Sequence, residues 1–274
     1  MSEYSSEINK MVFSFSRCHS FENCKYEWYL NYLLRDAEGN RIYENEQNFY
    51  AAFGKFCHEI LEKILKGEMN EKEGFEYYKE HFEENTSGFD VSDSTIDKYY
   101  FFGFDYFENL SFDWLKDYEI LGIEKECRFE INGIKFIGYI DLLIKHKVSG
   151  DIIVIDHKSG EYPLGKKGGV LKRKQSDYDA YKKQLYLYCK QVYNDYGVYP
   201  KKIVWNYFRD AKWLELPFVY EEYIDTEQWV SDLVGEIHKE ENFCPVLNNY
   251  FYCKNICGFR NSCDYMQMGG IDDY

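Results

Sequence analysis

The chain has 274 residues, with 33 basic and 48 acidic side chains and a formal net charge of -15. That balance argues against a general nucleic-acid coat, because phosphate binding rests on Lys and Arg. An apolar content of 45%, with 20% aromatics, is ample for one large core or two small ones, and no apolar run approaches the roughly 18 residues that cross a bilayer. Nine cysteines leave one over under any complete internal pairing, which disfavours a secreted disulfide framework. Residues 1–7 lack the basic and apolar parts of a signal peptide. The expectation is a cytoplasmic protein with reduced thiols, some of them holding metal.

In chain order, Ser16 is placed to cap a helix over 17–34 with Cys24 midway. A second helix, 51–65, carries His58 and Glu62 four residues apart on one face. From 71 to 118 the apolar spacing is mostly helical, with breaks near 86–94 and 109–111, and reads as a helical insertion. Strands follow over 122–131, 134–146 and 151–158, with Asn132-Gly133 as a hairpin turn. A helix over 177–196 sets Gln184 and Tyr188 on one stripe. Strands 202–208 and 213–219 continue the sheet, and a helix over 226–241 leads to a cysteine-rich tail. Without repeats or a clear linker, the economical reading is one α/β domain over 1–274 with a cysteine-built annex.

The chemistry concentrates at Ile152–Gly160. Asp156 and Lys158 alternate along an apolar strand and so share a face. Residues 147–151 read as a hairpin turn. If Ser149 and Gly150 make a two-residue turn, Asp141 falls opposite Lys158 and joins that face. Two carboxylates and an ammonium then converge, an oxygen-donor set suited to Mg or Mn. Under the Asn132-Gly133 turn Glu126 lies opposite Tyr139 and shares the face of Asp141; Glu124 has the same parity and lies directly opposite Asp141. Lys166, Lys167, Lys172, Arg173 and Lys174 crowd a Gly-rich loop after this strand, a candidate clamp on a DNA backbone. Cys253-x3-Cys257-x5-Cys263 is a metal-binding spacing compatible with zinc or an iron-sulfur cluster.

These pieces resemble the PD-(D/E)xK nuclease superfamily, and within it the RecB-like exonucleases with an iron-sulfur cluster, a group that includes CRISPR-associated exonucleases and phage relatives. Ser14-Phe15-Ser16-Arg17 with Phe21 and Cys24 is similar to the opening S-x-S-R, aromatic and cysteine. Gly54 to His58 resembles G-x-x-x-H, Glu126 to Phe129 E-x-x-F, Gly138 to Asp141 G-x-x-D, Asp156 to Lys158 D-x-K, Gln184 to Tyr188 Q-x-x-x-Y, and Cys253, Cys257 and Cys263 the closing cysteine triplet. The resemblance implies a restriction-endonuclease-like core, a mixed central sheet flanked by helices, with an iron-sulfur annex built from 17–34 and 244–274. It implies that Asp141, Asp156, His58 and the His157 backbone carbonyl hold Mg or Mn. Lys158 then orients water or stabilises developing charge, with Glu126, Gln184 and Tyr188 completing the catalytic set. It also implies a 4Fe-4S cluster on Cys24, Cys253, Cys257 and Cys263. Three residues separate Cys253 from Cys257 where the family more often has two between them, and Cys244 is a rival ligand. Cys18, Cys57, Cys127 and Cys189 sit in helical or strand contexts as core thiols.

The expected function is a metal-dependent deoxyribonuclease, an exonuclease on single strands or duplex ends in recombination, repair, or phage or CRISPR DNA processing. No G-x-x-x-x-G-K-[ST] is present, so a helicase motor would be a separate partner chain. The alternatives are a non-catalytic iron-sulfur subunit that binds DNA or a partner in a larger nuclease-helicase complex, and a zinc-stabilised structural protein. The intact Asp141, Asp156 and Lys158 favour catalysis.

Overall fold

A computed structural model describes residues 4–246 and 249–267; of the expected annex over 244–274, residues 247–248 and 268–274 lie outside the described residues. The chain divides into two compact units, one of residues 1–48, 130–136 and 227–274, the other of 49–129 and 137–226. The two annex segments fall in the first unit.

In the first unit α1 (Ser5–Ile8) precedes α2 (Phe15–Asn23) and α3 (Lys25–Tyr32). The single helix expected over 17–34 is in fact two. Cys24 adopts an extended conformation (φ -159°, ψ 108°) that ends α2 and caps α3, its sulfur accepting from the Glu27 N–H. The cap of α2 is Ser14, whose hydroxyl accepts from the Arg17 N–H at 3.1 Å, not Ser16. Trp28 and Phe21 are fully buried here, edge to face at 5.5 Å.

The second unit opens with α4 (Phe49–Leu65), α5 (Glu71–Thr86) and α6 (Asp93–Glu108). Asn70 and Glu73 form a reciprocal capping box at α5, and Ser92 caps α6, so both starts are written locally in the sequence. Helices α5 and α6 approach closely because residue 103 is glycine; a Cβ there would lie 2.3 Å from the Tyr78 ring. The Tyr78 hydroxyl instead donates to the Tyr100 carbonyl at 2.9 Å. Phe53, Phe56, Ile60 and Leu61 of α4 pack with Tyr78 and Phe107 into one buried cluster.

The sheet runs β1 (Tyr118–Ile131), β2 (Ile134–His146), β3 (Ile152–Lys158), β4 (Lys202–Tyr207) and β5 (Lys212–Pro217), in that order. β2 and β3 are antiparallel, β3 and β4 parallel, β4 and β5 antiparallel, which makes the expected mixed sheet flanked by helices. β3 is buried on both faces except at Lys158, as an interior strand with a parallel neighbour should be. Asn132 and Gly133 both take positive φ (50° and 82°), the backbone of the type I′ hairpin that this dipeptide favours.

The β2–β3 turn differs from expectation. Leu142 pairs with Ile155 and Lys145 with Ile152, and the His146 N–H donates to the Asp151 carbonyl. The turn therefore takes residues 147–150, and the register moves by two from the Ser149-Gly150 version. A shift of two preserves parity, so Asp141 and Asp156 keep a common face. Helix α7 (Gln175–Tyr196) ends where Gly197 turns left-handed (φ 71°). Helix α8 (Tyr220–Lys239) and the short α9 (Asp264–Gln267) complete the described chain. Among the described residues no helix is long and apolar enough to cross a membrane.

Candidate metal centre

His58 projects from the middle of α4. Gly54, one turn earlier, keeps that helix against the segment following β3, since a Cβ there would be 3.0 Å from the Ser159 hydroxyl. The His58 Nε2 lies 3.0 Å from the His157 carbonyl oxygen, and its Nδ1 3.7 Å from an Asp141 carboxylate oxygen. That carboxylate also accepts from the His157 N–H at 2.6 Å. The backbone of His157 therefore joins the two side chains. Its own imidazole is buried and meets the Asn206 amide at 3.0 Å; that amide in turn donates to the Tyr106 hydroxyl at 2.6 Å.

His58, Glu124 and Asp141 each offer a ligand atom within 4.8 Å of the others. Glu124, not Glu126, is the strand carboxylate beside Asp141. That is the position directly opposite Asp141 which the hairpin pairing offers, and Glu124 itself has a left-handed backbone (φ 46°), a conformation uncommon outside glycine. Glu126 is exposed and committed elsewhere, paired with Arg128 at 2.6 Å and accepting from the Tyr139 hydroxyl at 3.1 Å. Glu126, expected in the catalytic set, thus lies outside the group formed by His58, Glu124 and Asp141.

Burial first, and the charge of Asp156 second, push the Asp141 carboxyl well above the ordinary range. Burial, with Glu62 and Asp156, raises Glu124 too. Burial lowers His58 despite the pull of Asp156, which favours the neutral imidazole that can ligate a metal. Carboxylates crowded until they repel, with a neutral imidazole beside them, fit a divalent cation, whose charge would relieve that repulsion.

On the same face, Lys158 Nζ lies 2.7 Å from an Asp156 oxygen in a largely buried pair. Burial pulls the ammonium down, but Asp156, Tyr181 and Asp141 outweigh it and the net shift is upward, so Lys158 is a cation at neutral pH. It donates to the Gln184 amide oxygen at 2.8 Å, and the Gln184 amide donates to the Tyr188 hydroxyl at 3.2 Å. Tyr188 comes this close to β2 because residue 138 is glycine; a Cβ would meet its ring at 2.5 Å. Tyr181, one turn before Gln184, places its ring 4.3 Å beneath the Lys158 ammonium. The reading of the sequence missed Tyr181 and did not choose Glu124; the three-residue step from Tyr181 to Gln184 on α7 was the available signal.

The basic loop is only partly free. Arg173 pairs with Glu161, and Lys174 with Glu161 at 3.9 Å and Asp177 at 3.2 Å. Lys166, Lys167 and Lys172 are exposed.

In the other unit, Cys24, Cys253, Cys257 and Cys263 line one small cavity together with Glu27 and Tyr252. The additional residue between Cys253 and Cys257 is absorbed by a π-helical turn, Tyr252–Ile256, closed by the Cys257 N–H on the Tyr252 carbonyl, the wider turn that such an insertion produces. The Tyr252 hydroxyl donates to Glu27 at 2.8 Å. Burial raises the Cys253 thiol, with contributions from Cys24 and Cys263. Four converging thiols fit a thiolate-bound cluster. Cys244 is exposed and does not line the cavity, whereas Cys18, Cys57, Cys127 and Cys189 are buried.

If Glu124 rather than Glu126 completes the metal set, Glu124→Gln weakens Mn affinity by roughly 10–100-fold, the scale typical of a disturbed metal shell, while Glu126→Gln leaves it unchanged. Calorimetric titration with Mn checks this; equal losses from both substitutions would restore Glu126.

A family profile described as the PD-(D/E)XK nuclease superfamily matches residues 12–264. No curated protein matches. Among solved structures, the crystal structure of SSO0001 aligns over 91% of this chain and 95% of its own, at 17% identity and a TM-score of 0.32.

Proposed function

The chain belongs to the PD-(D/E)XK nuclease superfamily, and from that premise we propose that it is a Mg- or Mn-dependent DNA exonuclease carrying a 4Fe-4S cluster. The observation that carries the catalytic reading is the unbroken line from Asp156 through Lys158 and Gln184 to Tyr188, set beside His58, Glu124 and Asp141. A non-catalytic subunit has no chemical use for a protonated lysine held at the edge of a cation site.

Asp141, Asp156, Glu124 and His58 would hold the divalent cation, with the His157 carbonyl aimed at the same position. The metal supplies a lowered pKa for bound water and neutralises charge on the phosphate. Asp156 is paired with Lys158 in the structure; as a ligand to the cation that carboxylate would be shared, and the Lys158 ammonium would donate to water or to a phosphate oxygen. Gln184 fixes where that ammonium points, and Tyr188 fixes Gln184. The Tyr181 ring favours the charged lysine electrostatically. The exposed Lys166, Lys167 and Lys172 are suited to phosphate contacts, with Arg173 and Lys174 exchanging Glu161 for DNA. The acting location is cytoplasmic, in a bacterial or phage-infected cell, and a helicase or a recombination or CRISPR protein is a fitting partner.

Exonuclease action predicts that closed circular single-stranded DNA survives while end-labelled linear DNA loses its label from one end; rapid cutting of circles would make the enzyme an endonuclease. The cluster is tested separately. Protein purified without oxygen should contain iron on Cys24, Cys253, Cys257 and Cys263, and replacing any one with Ala should lower iron content and solubility, whereas Cys244→Ala should preserve both. Stoichiometric zinc without iron would favour the zinc-stabilised alternative.

A further inference from the structure

The catalytic line leaves one buried polar group unused. Ile153, Ile155 and His157 share a face of β3 by alternation, and Val204 and Asn206 share one of β4; Ile155 is level with Val204, and His157 with Asn206. Ile153, Ile155, Val204 and Tyr106 belong to the apolar cluster built with α4, α5 and α6. At the end of that apolar face stand a histidine and an asparagine, 4% and 0% exposed. The Asn206 amide nitrogen lies 3.0 Å from His157 Nδ1 and 2.6 Å from the Tyr106 hydroxyl. Asn206 Oδ1 and His157 Nε2, however, are buried without a hydrogen bond. Unsatisfied buried polar atoms destabilise a fold, and apolar side chains of similar shape would fill this corner without that penalty. A polar group kept at such a cost calls for a use other than packing.

That use lies in the backbone of His157. The β2–β3 ladder runs from Lys145 with Ile152 to Leu142 with Ile155. Two residues further along β3, the His157 N–H donates to the Asp141 carboxylate at 2.6 Å, and the His157 carbonyl oxygen lies 3.0 Å from His58 Nε2. A single residue, past the paired stretch of β2, thus steadies one metal-binding side chain and presents its own carbonyl beside another. Its imidazole, gripped by Asn206 with Tyr106 behind, is what ties that backbone to the core.

We infer that Asn206 and Tyr106 are positioning residues that lock the His157 backbone through its imidazole and thereby make the centre selective for Mg over Ca. The inference rests on the metal-dependent nuclease reading and adds to it the choice of ion. Mg demands nearly ideal octahedral ligands at short distance, whereas Ca accepts longer and more flexible ones. A carbonyl that cannot drift suits the first; a carbonyl free to drift forfeits Mg before it forfeits Ca. Neither Asn206 nor Tyr106 is a ligand, and both act only through His157. Partners of this outer kind typically change metal affinity by roughly 10–100-fold.

The test is displacement of Mn from the full chain by Mg and, separately, by Ca, followed by the electron paramagnetic resonance of free Mn and paired with thermal unfolding without metal. Asn206→Leu removes the amide at similar volume, and Tyr106→Phe removes one hydroxyl and keeps the ring. The ratio of Mg to Ca affinity should fall by roughly 10-fold or more in Asn206→Leu and by a smaller factor in Tyr106→Phe, chiefly through lost Mg binding. Tyr78→Phe is the matched control. It deletes another buried hydroxyl of the helical layer, one that donates to the Tyr100 carbonyl, and should lower the metal-free melting temperature while leaving the ratio as in the wild type. If Asn206→Leu does not fold, the ratio in Tyr106→Phe decides alone. An unchanged ratio in the folded variants, or an equal fall in Tyr78→Phe, overturns the lock while leaving the metal centre standing. A wild-type chain that binds none of the three ions overturns the metal centre and the lock together.

Discussion

Lys158→Ala should reduce the rate of phosphodiester cleavage by roughly 10²–10³-fold or more, the usual loss when one preorganised charge-stabilising group is removed, while Mn affinity persists. Asp156→Ala should be equally inactive but should also weaken Mn binding, because the carboxylate is proposed as a ligand and the ammonium is not. The pair is largely buried, with side-chain exposures of 13% and 4%, and breaking such a pair by removing one partner costs about 3–5 kcal/mol. Without metal, Lys158→Ala should therefore melt earlier than the wild type. Mn should restore part of that loss by binding the folded state, and restored folding without restored cleavage is the combination that identifies a chemical role. Single-turnover cleavage paired with thermal unfolding, each with and without Mn, reads both. Near-normal cleavage by well-folded Lys158→Ala would remove the lysine from the mechanism.

The second large effect has the opposite sign on stability. Burial and the neighbouring Asp156 hold the Asp141 carboxyl well above its ordinary value, near 3.9 for a free aspartate. A carboxyl whose folded pKa exceeds its unfolded pKa binds more protons when folded. Its presence therefore costs nothing at pH below the unfolded value, and destabilises increasingly as pH rises from there to the raised value. Asp141→Asn keeps an oxygen to accept from the His157 N–H and removes the charge. The metal-free variant should melt higher than the metal-free wild type at pH 8, by a few degrees, since about 1 kcal/mol shifts the midpoint of a chain this size by roughly 2–4 °C. The difference should shrink toward pH 4. Mn should then raise the wild type strongly and the variant little. A metal-free Asp141→Asn that melts below the wild type at pH 8 would show that the carboxylate supports the fold instead of straining it.

Much of the site was legible because its parts obey parity. Asp156 and Lys158 share a face whatever the register, and the β2–β3 turn could lengthen by two residues without moving Asp141 off that face. Gln184 and Tyr188 lie one helical turn apart and meet directly at 3.2 Å. Features that depend on a departure from regular geometry were not legible. Glu124 and Glu126 share a parity, so alternation left both carboxylates open, and the left-handed backbone at Glu124 is not announced by the sequence. Cys24 stops a helix whose apolar spacing runs on to 34, because an extended backbone there turns its sulfur into a cap. The partners behind His157 were beyond reach for another reason. Asn206 and Tyr106 lie 49 and 100 residues from their contacts, and only the parallel pairing of β3 with β4 brings Asn206 level with His157. The charges on Arg173 and Lys174 looked free in the sequence because Glu161, though near in the chain, meets them only through the fold of the intervening loop.

The central claim is that a metal held by His58, Glu124, Asp141 and Asp156 drives cleavage of DNA. The most direct measurement is the loss of end-labelled single-stranded DNA with purified wild-type protein, in Mn, in Mg and in EDTA, with Asp156→Ala prepared identically. The account predicts metal-dependent loss of label by the wild type, none in EDTA, and none by Asp156→Ala in either metal. Cleavage that persists in EDTA, or that is equal in Asp156→Ala, would contradict it.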